Sequence, residues 1–216
     1  VIDVANDFAA GDQITVSGAK FADFGAPSSA DNLELDVDDD QVGDATDDKT
    51  IVILPSSADI IVVKSFQTFS DPYNGETNPK AIPGGVMLYT IIATNQGAGA
   101  TDANTVVLTD PIPANTALFV GDIDGPGPAT GPVLFTDGTP PDDSGLSYTF
   151  TSLDSLTDDV AFSNDGGTTY TYIPVPDADG FDTNVTHLRI NPKGTFNAAS
   201  GGDIPTFEVK FKVRVE

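Results

Sequence analysis

An antiparallel β-sandwich is the fold class this sequence predicts, and three observations predict it. The last ten residues alternate without error: Phe207, Val209, Phe211, Val213 and Val215 interleave with Glu208, Lys210, Lys212, Arg214 and Glu216. That two-residue period marks a strand with one face buried and one wet. The composition is one of turns, with 29 Asp, 21 Gly and 16 Pro in 216 residues, which disfavours long helices. Short runs of β-branched and aromatic residues recur between clusters of Gly, Pro, Asn and Asp, the rhythm of a sandwich with Greek-key connections. A barrel is the second choice.

The elements follow in order. Residues 1–54 read as an N-terminal strand and hairpin region: Gln13 to Ser17 after the Gly11-Asp12 turn, Leu33 to Val37 with Leu33, Leu35 and Val37 on one face, and Thr50 to Leu54. Between the last two, Asp38 to Asp48 is too polar for any core and reads as a solvated connection. Residues 55–216 read as the sandwich itself, with long loops inserted between Gly121 and Gly180. Its strands are Ile60 to Val63, Val86 to Thr94 between Pro83-Gly84-Gly85 and Asn95-Gln96-Gly97, and Thr105 to Leu108, stopped by Asp110-Pro111-Ile112-Pro113. Tyr148 to Phe150, Thr169 to Ile173, Thr186 to Ile190 and the final alternating strand complete the set.

Charge narrows the function classes. Nine Lys and Arg against 33 Asp and Glu give a net charge of −24, a field that repels phosphate backbones and anionic lipid. Nucleic-acid binding is thereby excluded. No Lys or Arg occurs from Ala81 to His187, whereas Arg189, Lys193, Lys210, Lys212 and Arg214 crowd the end. The final strand therefore reads as a basic edge, guarded against random pairing or complementary to an acidic neighbour. Cysteine is absent, so disulfides, thiolate metal sites and cysteine nucleophiles are excluded. No apolar run reaches the length of a transmembrane helix. The chain opens on Val1, which fits the product of signal-peptide cleavage, although a cloned fragment would open the same way.

Three stretches carry a family resemblance: Ala58-Asp59-Ile60-Ile61-Val62-Val63-Lys64, Leu88 to Gly99 (LYTIIATNQGAG) after Ile82-Pro83-Gly84, and Asn104 to Thr116 (NTVVLTDPIPANT). Together, over about residues 58–120, they resemble a widespread bacterial cell-surface and cell-wall repeat known only as a domain of unknown function, the eleventh of its series. The resemblance implies an immunoglobulin-like sandwich, an extracellular location and a structural or adhesive role, usually in tandem arrays. This chain departs from the pattern in carrying one copy, so length must come from polymerising or from joining larger chains.

Candidate chemistry is sparse. His187, the only histidine, is expected on a strand face with Val185 and Arg189, without the placed partners that a triad or zinc site needs. With 29 Asp a glycosidase pair is uninformative, and the chain has no Trp platform for sugars; no catalytic residue is expected. Calcium suits the acidic turns better. As an EF-hand, Asp38 to Lys49 fails, with Val42 fifth and Lys49 twelfth. A non-EF calcium site would use Asp36, Asp38, Asp40 and Asp44, or Asp122, Asp124 and Asp137; the plainer reading is that these acids keep the protein soluble. Lys64 reads as a solvated strand residue, since an amide cross-link would want an Asn acceptor on another buried strand and the final strand has none.

These readings converge on a non-enzymatic secreted protein of a bacterial surface, the subunit of a pilus-like homopolymer joined head to tail by donor-strand exchange. The apolar start, Val1, Ile2, Val4 and Phe8, is the expected donor, and Phe207, Val209, Phe211, Val213 and Val215 are the expected strand at the junction. The alternative is a non-polymerising adhesin or surface-layer domain that binds calcium or a glycan.

Overall fold

The computed structural model describes residues 57–125 and 130–216, and every regular element among them is a strand. In chain order these are β1 (Ile60–Ser70), β2 (Val86–Asn95), β3 (Leu108–Pro111), β4 (Thr116–Phe119), β5 (Leu134–Asp137), β6 (Leu146–Ser147), β7 (Val160–Ser163), β8 (Phe181–Asp182), β9 (His187–Ile190), β10 (Lys193–Gly194) and β11 (Thr206–Val215). The strands expected over residues 1–54 lie outside the described residues. So do Val1, Ile2, Val4 and Phe8, and the proposed calcium ligands Asp36, Asp38, Asp40 and Asp44.

The larger sheet runs β1-β2-β11-β4-β8, with β5 also paired to β11; the smaller runs β3-β9-β7, and β10 pairs with β6 as a short ribbon. Every strand pair is antiparallel. The fold is the antiparallel sandwich that the alternation predicts, and it does not close into a barrel. Its core joins Met87, Ile91 and Ala93 of β2 and Phe207, Val209, Phe211 and Val213 of β11 to Phe162 of β7 and Leu188 and Ile190 of β9. Aromatic contacts extend it: Phe207 lies between Phe135 and Phe196, with ring centroids 5.3 Å away on both sides.

The final strand corrects two expectations. β11 is an interior strand, not an edge: β2 lies along one side and β4 and β5 along the other. The reason is its length, which lets one ten-residue strand carry the two short strands end to end on the same side. Phe207, Val209, Phe211 and Val213 are fully buried, and Val215 is packed against the same core. They build the chain's own interior and cannot present a junction strand to a neighbour. Nor do the basic residues form a free patch. Lys210 pairs with Glu208 at 2.5 Å, and Arg214 pairs with Asp177 and Glu216, each at 2.8 Å.

Elsewhere, boundaries move for local reasons. β3 begins at Leu108 and runs through Asp110 and Pro111, where a stop was expected. Among the described residues β3 pairs on one side only, with β9, and an edge strand tolerates a proline whose missing N–H would face outward. Tyr148 to Phe150 and Thr169 to Ile173 form no extended strands, although Tyr148, Phe150 and Tyr172 still pack on the core. Carboxylates take the place of a ladder there. Asp159 accepts from the Thr149 N–H at 2.7 Å, Asp158 from the Thr151 N–H at 2.9 Å, and Asp165 from the Thr169 N–H at 2.9 Å. Short acidic side chains compete for backbone donors in this way, and a single sequence scan for strand formers does not see it.

The Asp165 turn has a measurable consequence. Its carboxylate also accepts from the hydroxyls of Ser163 and Thr169. The Ser163 hydrogen bond, followed by the Thr169 N–H, holds the Asp165 carboxyl down to about 2. The folded value lies below the ordinary carboxylate value of about 3.9, so the charged form stabilises the fold above about pH 4 and that contribution is lost as pH falls towards about 2. Asp165→Asn is therefore expected to be less stable than the parent at neutral pH, with the gap closing between about pH 4 and about pH 2. Urea midpoints of both proteins across that range check it; a constant gap would refute the linkage.

Candidate functional site

The feature least explained by folding alone is one open side of the sandwich. β1 consists mainly of β-branched and aromatic residues, Ile60-Ile61-Val62-Val63 and then Phe66, Thr68 and Phe69, which fit a pleated surface well. Among the described residues it pairs only with β2, in the register Ile60 with Asn95, Val62 with Ala93, Lys64 with Ile91 and Phe66 with Tyr89. Ala93, Ile91 and Tyr89 stand opposite Phe207, Val209 and Phe211 in the next pairing. Ile60, Val62, Lys64 and Phe66 therefore lie on the core-facing side of the sheet.

Yet among the described residues nothing covers that side of β1. Ile60 is 39%, Val62 49% and Phe66 66% exposed, whereas on the same face of β2 Asn95, Ala93 and Ile91 are buried and Tyr89 is half-buried. Ile61 and Val63, on the outer face, are exposed as well. Edge strands are usually blunted by charge, proline or a bulge. Here Lys64 is the one charge in β1, and the register irregularity between Thr68 and Ser70 lies at the far end. From Ile60 to Val63 the edge carries no such device.

The smaller sheet ends on the same side. β3 is its terminal strand, and its Asp110 meets Lys64 of β1, with Nζ donating to Oδ1 at 2.6 Å. The Lys64 ammonium also sits 4.6 Å from the centroid of the Tyr89 ring and 5.6 Å from that of Phe211, both within cation–π range. Burial, and then the charge of Asp110, push the Tyr89 hydroxyl up. The Asp110 side chain is 7% exposed, and its second oxygen, Oδ2, is buried without a hydrogen-bond partner among the described residues. The open edges of both sheets are thus tied at one point and flanked by uncovered apolar side chains. Sequence reading placed Ile60 to Val63 in a strand but did not find Asp110 opposite Lys64, because 46 residues separate them.

The other candidates stay apart from this side. His187 begins β9, half-buried beside Arg189, but Val185 is buried and does not share their environment. The Nδ1 atom of His187 has no hydrogen-bond partner among the described residues. Asp122 and Asp124 both bond the Thr130 hydroxyl, at 2.8 and 2.7 Å, which with the Thr130 N–H holds the Asp122 carboxyl low. Asp137 instead accepts from the N–H and hydroxyl of Ser144. Among the described residues no three acidic or histidine side chains gather closely enough to hold a metal ion. Nor, among them, is any helix long and apolar enough to cross a membrane. Compared with protein-family models, with curated proteins and with solved structures, the chain matches none.

Proposed function

We propose that this chain is a non-enzymatic, secreted structural protein whose copies join head to tail by strand complementation into an extracellular bacterial surface filament. One observation carries the reading. Among the described residues the open side has an unpaired eleven-residue edge, β1, whose core-facing Ile60, Val62 and Phe66 lack cover. An added strand satisfies such an edge with main-chain hydrogen bonds while its alternate side chains complete the apolar face. Residues 2–8 supply a matching pattern. Ile2, Val4 and Phe8 repeat the spacing of Ile60, Val62 and Phe66, with Asp3 and Asp7 at alternating positions. A donor segment and an acceptor elsewhere on the body form a heterologous contact, which propagates as a fibre.

Electron microscopy of the purified full-length chain tests the reading, together with Val62→Asp and a variant lacking residues 1–8. The parent is expected to form fibres with a fixed axial repeat. Val62→Asp should remain folded by circular dichroism, because the position is half exposed, but should run as a monomer. The shortened chain should do the same. Fibres from Val62→Asp would overturn β1 as the acceptor, and fibres from the shortened chain would overturn the N-terminal donor.

A further inference from the structure

The contact between Lys64 and Asp110 places a primary amine against a carboxyl, and the surroundings favour more than an ion pair. We propose that Lys64 Nζ and Asp110 Cγ condense to an intramolecular amide, a self-formed covalent staple between β1 and β3. Nζ already lies 2.6 Å from Oδ1, so encounter and orientation are settled by the fold, which removes the entropic part of the barrier to a two-body condensation. The carboxyl is 7% exposed, and the amine that meets it lies over the Tyr89 and Phe211 rings. Little water reaches it to compete.

The same site penalises the unreacted pair. A buried carboxylate oxygen with no donor is costly, because the charge it shares has lost its hydration without compensation. Asp110 Oδ2 is such an atom. In the amide it becomes a neutral carbonyl oxygen, and both formal charges disappear. The step balances without a co-reactant. A proton passes from Nζ to Oδ1 along the existing hydrogen bond, the freed amine lone pair attacks Cγ, and the Nζ–Cγ bond forms. The Cγ–Oδ1 bond then breaks, and Oδ1 leaves as water with a second proton from Nζ. With no cysteine in the chain, this is a covalent tie that the residues at the open side can make. It would hold the first strand of one sheet to the terminal strand of the other.

The inference stands independently of filament formation, since the mass of a denatured single chain does not depend on assembly. Intact-mass spectrometry of the purified full-length protein under denaturing conditions reads it directly. The parent is expected to be lighter than its sequence by one water, and protease digestion should yield a branched peptide joining the segments around Lys64 and Asp110. Lys64→Arg keeps the charge pair but cannot form this amide, and should restore the full mass. Asp110→Asn can form the same amide by releasing ammonia, and should be lighter by one ammonia. A parent at full mass overturns the proposal. So does a water loss that persists in Lys64→Arg, because cyclisation at Asp-Gly pairs such as Asp165-Gly166 also expels water.

Discussion

Asn95→Ala is expected to destabilise the fold by about 4 kcal/mol, a large share of the stability of an ordinary domain. The Asn95 side chain is fully buried at the end of β2 and uses its whole hydrogen-bonding capacity. Its Oδ1 accepts from the N–H groups of Asp59 and Gly97, both at 3.0 Å. Its Nδ2 donates to the carbonyls of Gly99 and Asn197, at 2.9 and 2.8 Å. Four backbone groups from three chain segments thus depend on one amide. Alanine would leave them without partners where water has little access, and each orphan costs about 1–3 kcal/mol before relaxation. No other backbone is free to move in, because the chain is already tight there: a Cβ on Gly97 would stand 2.2 Å from the Ser57 carbonyl oxygen. Urea unfolding followed by circular dichroism checks the value. A loss below about 1 kcal/mol would show that the loop re-forms its hydrogen bonds without the amide.

Phe211→Ala is expected to lose a comparable amount, about 3–5 kcal/mol. The ring is fully buried at the centre of β11 and stacks on Tyr89, with centroids 5.3 Å apart and planes 8° from parallel. It has β2 on one side and is flanked along the same inward face of β11 by Val209 and Val213 within the core. Dense interiors relax only partly around such a deletion, so cavity and transfer terms add. Its outward neighbour provides the contrast. Lys210→Ala removes a surface pair with Glu208 and should change stability by less than about 1 kcal/mol. Equal losses at the two positions would contradict the inward and outward assignment of β11.

How much was legible in the residues depended on whether a signal was local. β2 and β11 were readable almost to the residue, β11 because alternation over ten positions has no helical reading and β2 because turn formers bound its run of apolar and β-branched residues on both sides. The strands of the insertion-rich region were not. β5, β7 and β8 are two to four residues long, too short for a period to register, and their neighbours' backbone donors are satisfied by Asp158, Asp159 and Asp165 instead of a ladder. The candidate site divides the same way. The apolar run of β1 was visible, but nothing in Ile60 to Val63 says whether a strand of this kind lies inside a sheet or at its edge.

By itself, then, the sequence determined the strand class, the inward and outward faces of β11 and a strongly acidic net charge, since each is read from residues along the chain alone. Tertiary structure alone decided the rest. It made the basic C-terminal strand the interior of the larger sheet, and it left the apolar β1 at the rim, since strand order is set by which distant segments pair and not by the pattern within any one of them. It also brought Asp110 to Lys64 across the gap between two sheets, because a contact over 46 residues exists only once both strands have been docked on a shared core.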